Sequence, residues 1–337
     1  GATDTAAVTI DVAGGETQVR YIFETYDSVS LTVTGTQDSP EVTALADGGH
    51  LVVWMVAGSA NSDNSGYGVY AQRYGAAGEK VGATFLVNTI TTNNQLYPSA
   101  AGLNDGSFVV IWQSDDTSNY GIYAQRFAAD GTKTGGEVLV NTTTANIQYE
   151  GTVTALTNGG YAVTWAGYNA TTSSEDVYAR AFDANGAPAT GEFVVNTITT
   201  GTQRTIGQIA ESITSLTGGR FALTFMDMGG ADGSSYGIYA RVFEADGTPV
   251  NAAQVLVNTT TLYDQYYSSI GALADGGFVV TWSDPNGVDG SGWSVLAQRF
   301  DASGARVGGE FQPNTYTYST QINSKVEQLS DGGFVIV

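Results

Sequence analysis

Cysteine is absent from this 337-residue chain, which removes disulfides, thiolate metal sites and thiol nucleophiles together. Histidine occurs once, so no multi-histidine metal cluster can form. Basic residues are scarce: 12 lysines and arginines face 33 acids, for a net charge of −21. A surface of that sign works against every phosphate contact, which excludes nucleic acid as a partner and disfavours anionic membranes. No apolar run approaches the roughly eighteen residues that a bilayer span needs, so no membrane insertion is expected. The start, Gly1-Ala2-Thr3-Asp4, is no signal peptide; an export signal, if one is used, was removed or lies outside this chain. A cysteine-free acidic chain fits a secreted or cell-surface protein. Its charge has three readings: solubility in a salty medium, neutralisation by divalent cations, or attraction to basic partners.

What the chain has is a repeat. A turn followed by an apolar strand recurs six times, starting at Asp47-Gly48-Gly49, Asp105-Gly106-Ser107, Asn158-Gly159-Gly160, Gly218-Gly219-Arg220, Asp275-Gly276-Gly277 and Asp331-Gly332-Gly333. The first five strands end in Trp54, Trp112, Trp165, Phe225 and Trp282, at a mean step of about 57 residues, the size of one propeller blade. A second motif, as in Tyr67 to Tyr74 or Tyr120 to Phe127, alternates like a strand. Short turns such as Ala129-Asp130-Gly131 follow it, with glycine supplying the positive φ of a tight hairpin. A third motif carries Asn88, Asn141, Asn196, Asn258 and Asn314, each followed seven residues later by Gln95, Gln148, Gln203, Gln265 or Gln321. A fourth strand, such as Thr152 to Leu156, leads back to the next turn.

Phe108, Val110 and Trp112 point to one face of their strand and Val109 and Ile111 to the other. A strand apolar on both faces must be sandwiched between sheets. The expectation is an all-β, six-bladed β-propeller of four-stranded antiparallel blades. The blades run over about 40–97, 98–150, 151–208, 209–267, 268–322 and a partial 323–337. Residues 1–39, with strand-like Val8 to Val12, Gln18 to Glu24 and Val29 to Val33, are placed to supply the outer strands of the last blade and close the ring. Two alternatives stay open: a fragment with further repeats missing, or N-terminal strands that complete a neighbouring molecule, a route to self-association.

The loops after each aromatic strand end and the Asn-to-Gln links share one face, where binding residues are expected. Those loops carry Asp63, Asp115, Asp116, Asp176, Asp227, Asp232, Asp284, Asn286 and Asp289. Oxygen-rich, glycine-spaced loops suit calcium; they also simply make good turns. Near the glutamines, Tyr97, Tyr149, Tyr263, Tyr266 and Tyr267 are candidate sugar-stacking residues, against the alternative that such aromatics are core. The recurring Asn and Gln either tie one blade to the next or face a central pocket. Arg73, Arg126 and Arg299 share one repeat position, best read as pairing with carboxylates. His50 occupies a slot that is Phe or Tyr elsewhere, so it is read as a packed ring rather than a base. No nucleophile elbow or phosphate loop appears, and acids are so abundant that a chance pair of carboxylates is near certain.

Asp275 to Trp282, Ala297 to Gly304 and Val257 to Thr259 resemble repeats of large secreted proteobacterial proteins, the hemolysin-type calcium-binding or RTX-like adhesins. The glycine-rich, aspartate-bearing nonapeptide of the calcium β-roll is absent. The resulting expectation is a non-enzymatic extracellular adhesive module that presents its acidic loop face to a glycan or surface protein, with calcium as a candidate stabiliser. Alternatives are a filament or surface-layer subunit assembled by strand exchange, and a secreted polysaccharide hydrolase or lyase.

Overall fold

The computed structural model describes residues 7–10, 19–22, 36–57, 66–115, 119–205, 211–288, 290–329 and 333–337. The chain divides into two compact units, Gly1–Val33 and Thr34–Val337. In the first, Ala7–Ile10 pairs antiparallel with Val19–Ile22, two of the three strands expected there; Val29 to Val33 lies outside the described residues.

The second unit is a six-bladed β-propeller of antiparallel blades, five of them four-stranded and the sixth with two strands among the described residues. From the inside outward, blade 1 consists of Thr36–Ala44, His50–Ala57, Tyr67–Tyr74 and Lys80–Leu86. Blade 2 is Gln95–Gly102, Phe108–Asp115, Tyr120–Phe127 and Lys133–Leu139, and blade 3 Gln148–Ala155, Tyr161–Asn169, Ser174–Phe182 and Phe193–Val194. Blade 4 has its inner strand in two pieces, Gln203–Arg204 and Ile213–Ser215, beside Phe221–Asp227, Gly237–Phe243 and Val255–Leu256. Blade 5 is Tyr266–Ala272, Phe278–Asp284, Ser294–Phe300 and Arg306–Phe311. In blade 6, Val326–Gln328 pairs with Phe334–Ile336. The strand that leads into each Asp-Gly-Gly-type turn is therefore the innermost one, and a sheet begins at or just after each recurring glutamine.

In blades 1 to 5 the second strand is buried on both faces. Phe108, Val110 and Trp112 pack with Leu51, Val53, Val69 and Ala71 of blade 1. Val109 and Ile111 pack with Val163, Trp165 and Tyr178 of blade 3. Three more interblade cores follow, between blades 3 and 4, 4 and 5, and 5 and 6. In every complete blade a ring at the start of the second strand stacks on one at the end of the third, as Phe108 on Phe127 and Phe278 on Phe300, both at 4.9 Å. His50 fills this slot in blade 1, stacked on Tyr74 at 4.8 Å.

The Asn and Gln motif is a clasp between blades. Asn141 accepts the Ile122 N–H at Oδ1 (2.8 Å) and donates from Nδ2 to the Thr143 carbonyl (2.9 Å) and to Gln148 Oε1 of the next blade (3.3 Å). Asn196 and Asn258 repeat the pattern. A buried amide with its polar atoms satisfied fixes where the chain crosses between sheets. Of the arginines that share one repeat position, Arg73 pairs with Asp47 at 3.1 Å and Arg299 with Asp275 at 2.8 Å, while Arg126 donates to the Ser107 hydroxyl at 3.5 Å; Arg180 Nη1 donates to the Val140 carbonyl at 2.8 Å.

Candidate functional site

Outside blade 4, the chain turns left-handed two residues after the glutamine that opens each blade. Ser39, Tyr97, Glu150, Tyr267 and Asn323 all take positive φ, between 51° and 60°. In blades 1, 2, 3 and 5 the register with the second strand slips at the same point. A non-glycine residue held left-handed costs about 1 kcal/mol, and such bulges concentrate where a strand re-aims a side chain at a site. The bulges lie at the end of the inner strands where the Asn-to-Gln links arrive, the same end as the loops between second and third strands.

In blade 3 this strained position is Glu150, only 9% exposed. Its Oε1 lies 3.4 Å from Nη2 of Arg204, whose Nε lies 3.5 Å from Oε2 of Glu175. The guanidinium sits over the Tyr149 ring, 5.1 Å from its centre. Thr205 Oγ1 donates to the Glu150 carbonyl at 3.0 Å and pins the bulge to blade 4. Among the described residues Glu150 Oε2 is buried with no hydrogen-bond partner. Burial pushes the Glu150 carboxyl up to about 7; Arg204 opposes the shift and Glu175 adds to it. Burial, then the adjacent Glu175, drives the Tyr149 phenol far above its usual range. Tyr149 is therefore a neutral phenol, fit to donate a hydrogen bond and unfit to be a nucleophile. The arrangement holds a buried carboxyl that keeps its proton toward neutral pH and a second carboxyl on the same guanidinium.

A second acid cluster lines the axis. All six inner strands border a void of about 320 Å³ along their C-terminal halves, on the side of the Asp-Gly-Gly turns. Glu41, Glu211 and Glu327 border it, and Lys325 pairs with Glu211 at 3.3 Å. Glu41 touches the void yet is hemmed in by the channel wall, and this enclosure pushes its carboxyl up to about 7 against the Ala100 and Ser99 hydrogen bonds. Glu327 is likewise raised, by burial and then by Glu211. Glu41 has a structural duty: its Oε1 accepts from Ala100 N–H and Ser99 Oγ of blade 2, both at 3.1 Å. Ser99 and Ser269, its counterparts in other blades, accept the Val153 and Val326 N–H groups, both at 3.3 Å. Glu41 thus stands in for a clasping serine, which leaves Glu150 as the better-placed reactive acid.

The expected calcium donors are spread over separate blades. Asp176, Asp227 and Asp284 are fully buried acceptors. Asp176 takes Asn196 Nδ2 at 2.7 Å and Asn169 Nδ2 at 2.6 Å; Asp227 takes Gln203 Nε2 at 2.7 Å and the Ala231 N–H at 3.0 Å. Asp284 accepts the Asn286 N–H at 2.7 Å, while the Asn286 amide donates to the Leu262 carbonyl. Asp232 caps the Ser234 N–H, and Asp115 ends the second strand of blade 2, half-buried. Asp63, Asp116 and Asp289 lie outside the described residues. Among the described residues no three His, Asp or Glu side chains converge to hold a metal ion.

Of the expected ligand tyrosines, Tyr149 is in the acid cluster, Tyr97 and Tyr267 occupy bulges, Tyr266 adjoins Tyr267, and Tyr263 is exposed in the preceding link. Sequence reading passed over Glu150 and Arg204. A signal was present: the two positions after the glutamine read Leu96-Tyr97 and Tyr266-Tyr267 in blades 2 and 5, but Tyr149-Glu150 and Arg204-Thr205 in blades 3 and 4. Charge at Glu150 and Arg204, in slots that blades 2 and 5 fill with leucine and tyrosine, marks a departure from packing.

No family model and no curated protein matches this sequence. Solved structures match the fold. A protein of unknown function from Dyadobacter fermentans is similar with a TM-score of 0.54 at 11% identity, over 87% of each chain. The Hadza microbial sialidase Hz136 is similar at 0.50 and 10% identity, over 87% of this chain and 61% of that one, so this chain spans under two-thirds of its length. The GH93 α-L-arabinofuranosidase of Fusarium graminearum, solved with arabinobiose, gives 0.50 at 13% identity over 72% and 74% of the two chains. The class defined by the fold is the six-bladed β-propeller, and two of these three relatives in shape are glycosidases.

These comparisons correct the expectation of a non-enzymatic adhesive module. Propellers of this shape house glycoside hydrolysis in the sialidase and the arabinofuranosidase. No local motif marks the acid cluster, because it is assembled across a blade boundary: Glu150 and Arg204 are 54 residues apart.

Proposed function

We propose that the protein is a glycoside hydrolase that cleaves a polysaccharide outside the cell, at the acid cluster of blades 3 and 4. The observation that carries this reading is Glu150, a buried carboxyl held near 7 beside a second carboxylate on the same guanidinium. Two carboxylates sharing one arginine fork are no more than about 10 Å apart, the range in which paired acids flank a glycosidic bond. Protonated Glu150 gives its proton to the leaving glycosidic oxygen as the bond to the anomeric carbon breaks. Glu175 takes a proton from the water that attacks that carbon. Arg204 fixes both acids, and the buried Tyr149 ring supports the guanidinium from below. The glycosidase neighbours support the reading through fold alone.

The test is release of reducing sugar from arabinan, xylan, dextran and sialylated glycans by the full chain. Glu150→Gln keeps the shape and removes the proton, and is expected to lower turnover by about 10²–10⁴-fold. No release from any of these substrates, or a Glu150→Gln protein as active as the wild type, overturns the proposal.

A further inference from the structure

One layer of the link-loop face changes character between neighbouring blades. Three residues ahead of the third-strand residue that pairs with the aromatic end of the second strand stand Glu175 in blade 3, Tyr236 in blade 4 and Trp293 in blade 5. The position after the glutamine is Tyr149 in blade 3 and Arg204 in blade 4, and Tyr266 in blade 5. The charged cluster therefore gives way, one blade further round, to an aromatic one. Tyr266 lies 5.4 Å from Tyr236 edge-on, 5.7 Å from Tyr267 and 5.3 Å from Trp293. All four rings are half-buried. Tyr266 donates its hydroxyl to Asp264 at 2.6 Å.

Trp293 is unlike the other four tryptophans. Trp112, Trp165 and Trp282 are sealed in interblade cores and Trp54 is only 3% exposed, whereas Trp293 keeps part of its indole in solvent. Ring faces left open at the surface beside a carboxylate suit a ligand with an apolar face and hydroxyls at its edge, and a sugar ring has that form. A purely apolar protein partner would have to strip water from the Asp264 carboxylate without replacing it, which is costly. A net charge of −21 opposes uronate-rich or sialylated polymers.

We propose that Tyr236, Tyr266, Tyr267 and Trp293 form a stacking platform for the rings of a neutral polysaccharide, one blade away from the acid pair. The choice of a polymer rests on the hydrolase reading, whereas occupancy of the platform requires no turnover. The test titrates the full-length protein with arabinan, xylan, dextran and polygalacturonate, followed by calorimetry and by tryptophan emission. Because Trp293 is the partly exposed indole, a neutral polymer seated on the platform shifts or quenches emission saturably. Trp293→Ala is expected to weaken that binding about tenfold, and Trp293→Tyr to restore most of it.

Failure of all three neutral polymers to bind, preference for polygalacturonate, binding with unchanged emission, or a Trp293→Ala protein that binds like the wild type each overturns the platform. If Trp293→Ala does not fold, the emission of the wild type decides. Saturable binding without hydrolysis sustains the platform and removes the hydrolase reading; hydrolysis without an emission change does the reverse.

Discussion

A carboxyl that is 9% exposed, with one oxygen unpartnered, holds its proton well past the pH at which one in water loses it, and Glu150 is pushed up to about 7 by that burial. If this proton is the one delivered to the leaving oxygen, kcat/KM falls as pH rises through about 7. A pH–rate profile of the wild type checks this, and the Glu150→Gln protein should lack the alkaline limb. Asn141 makes a different argument at the same scale, since it is 1% exposed and serves three partners. Asn141→Ala strands the Ile122 N–H and one Gln148 oxygen away from water, at about 2–4 kcal/mol. Urea denaturation should show that loss, while Asn141→Asp recovers the acceptor half of it.

Elements repeat because their turns repeat. Gly276 sits at φ +86° in the hairpin from inner to second strand of blade 5, and a Cβ there would meet nothing closer than Thr217 Oγ1 at 3.4 Å. Space is adequate and only the dihedral resists, so Gly276→Ala is expected to cost about 1–2 kcal/mol in denaturant melts. Such regularities were legible in advance. Period, glycine turns and the split between Phe108, Val110, Trp112 and Val109, Ile111 come from local sterics and burial, which one strand's residues report directly. The Asn-to-Gln spacing likewise announced a constrained crossing. Illegible was anything made by two blades meeting, because the positive φ of Glu150 and the reach of Arg204 across a blade boundary depend on packing and not on sequence distance. Acidic loop positions misled for a related reason: Asp176 and Asp227 look like surface ligands in a glycine-rich string, yet both turn inward as acceptors for the clasp.

At the scale of the whole ring, six inner strands put their edges around one axis, and the charges they carry there cannot avoid one another. Glu41 of blade 1, Glu211 of blade 4 and Glu327 of blade 6 share the void, and Lys325 reaches from blade 6 to Glu211. Glu41 and Glu150 have folded-state values of about 7 against an ordinary 4.5, so between those limits the folded protein binds more protons than the unfolded chain. Stability from these two groups is then complete below about 4.5 and is lost as pH rises through about 7. Melting temperature should therefore fall by a few degrees between pH 5 and pH 8. The general repulsion of a −21 surface acts in the same direction. The discriminating measurement is the difference between wild type and Glu41→Gln, whose amide still accepts the Ala100 N–H but never ionises. That variant should melt with a shallower pH slope and should gain on the wild type as pH rises. Parallel slopes for the two proteins would mean that the axial glutamate carries no proton linkage and that surface charge alone sets the trend.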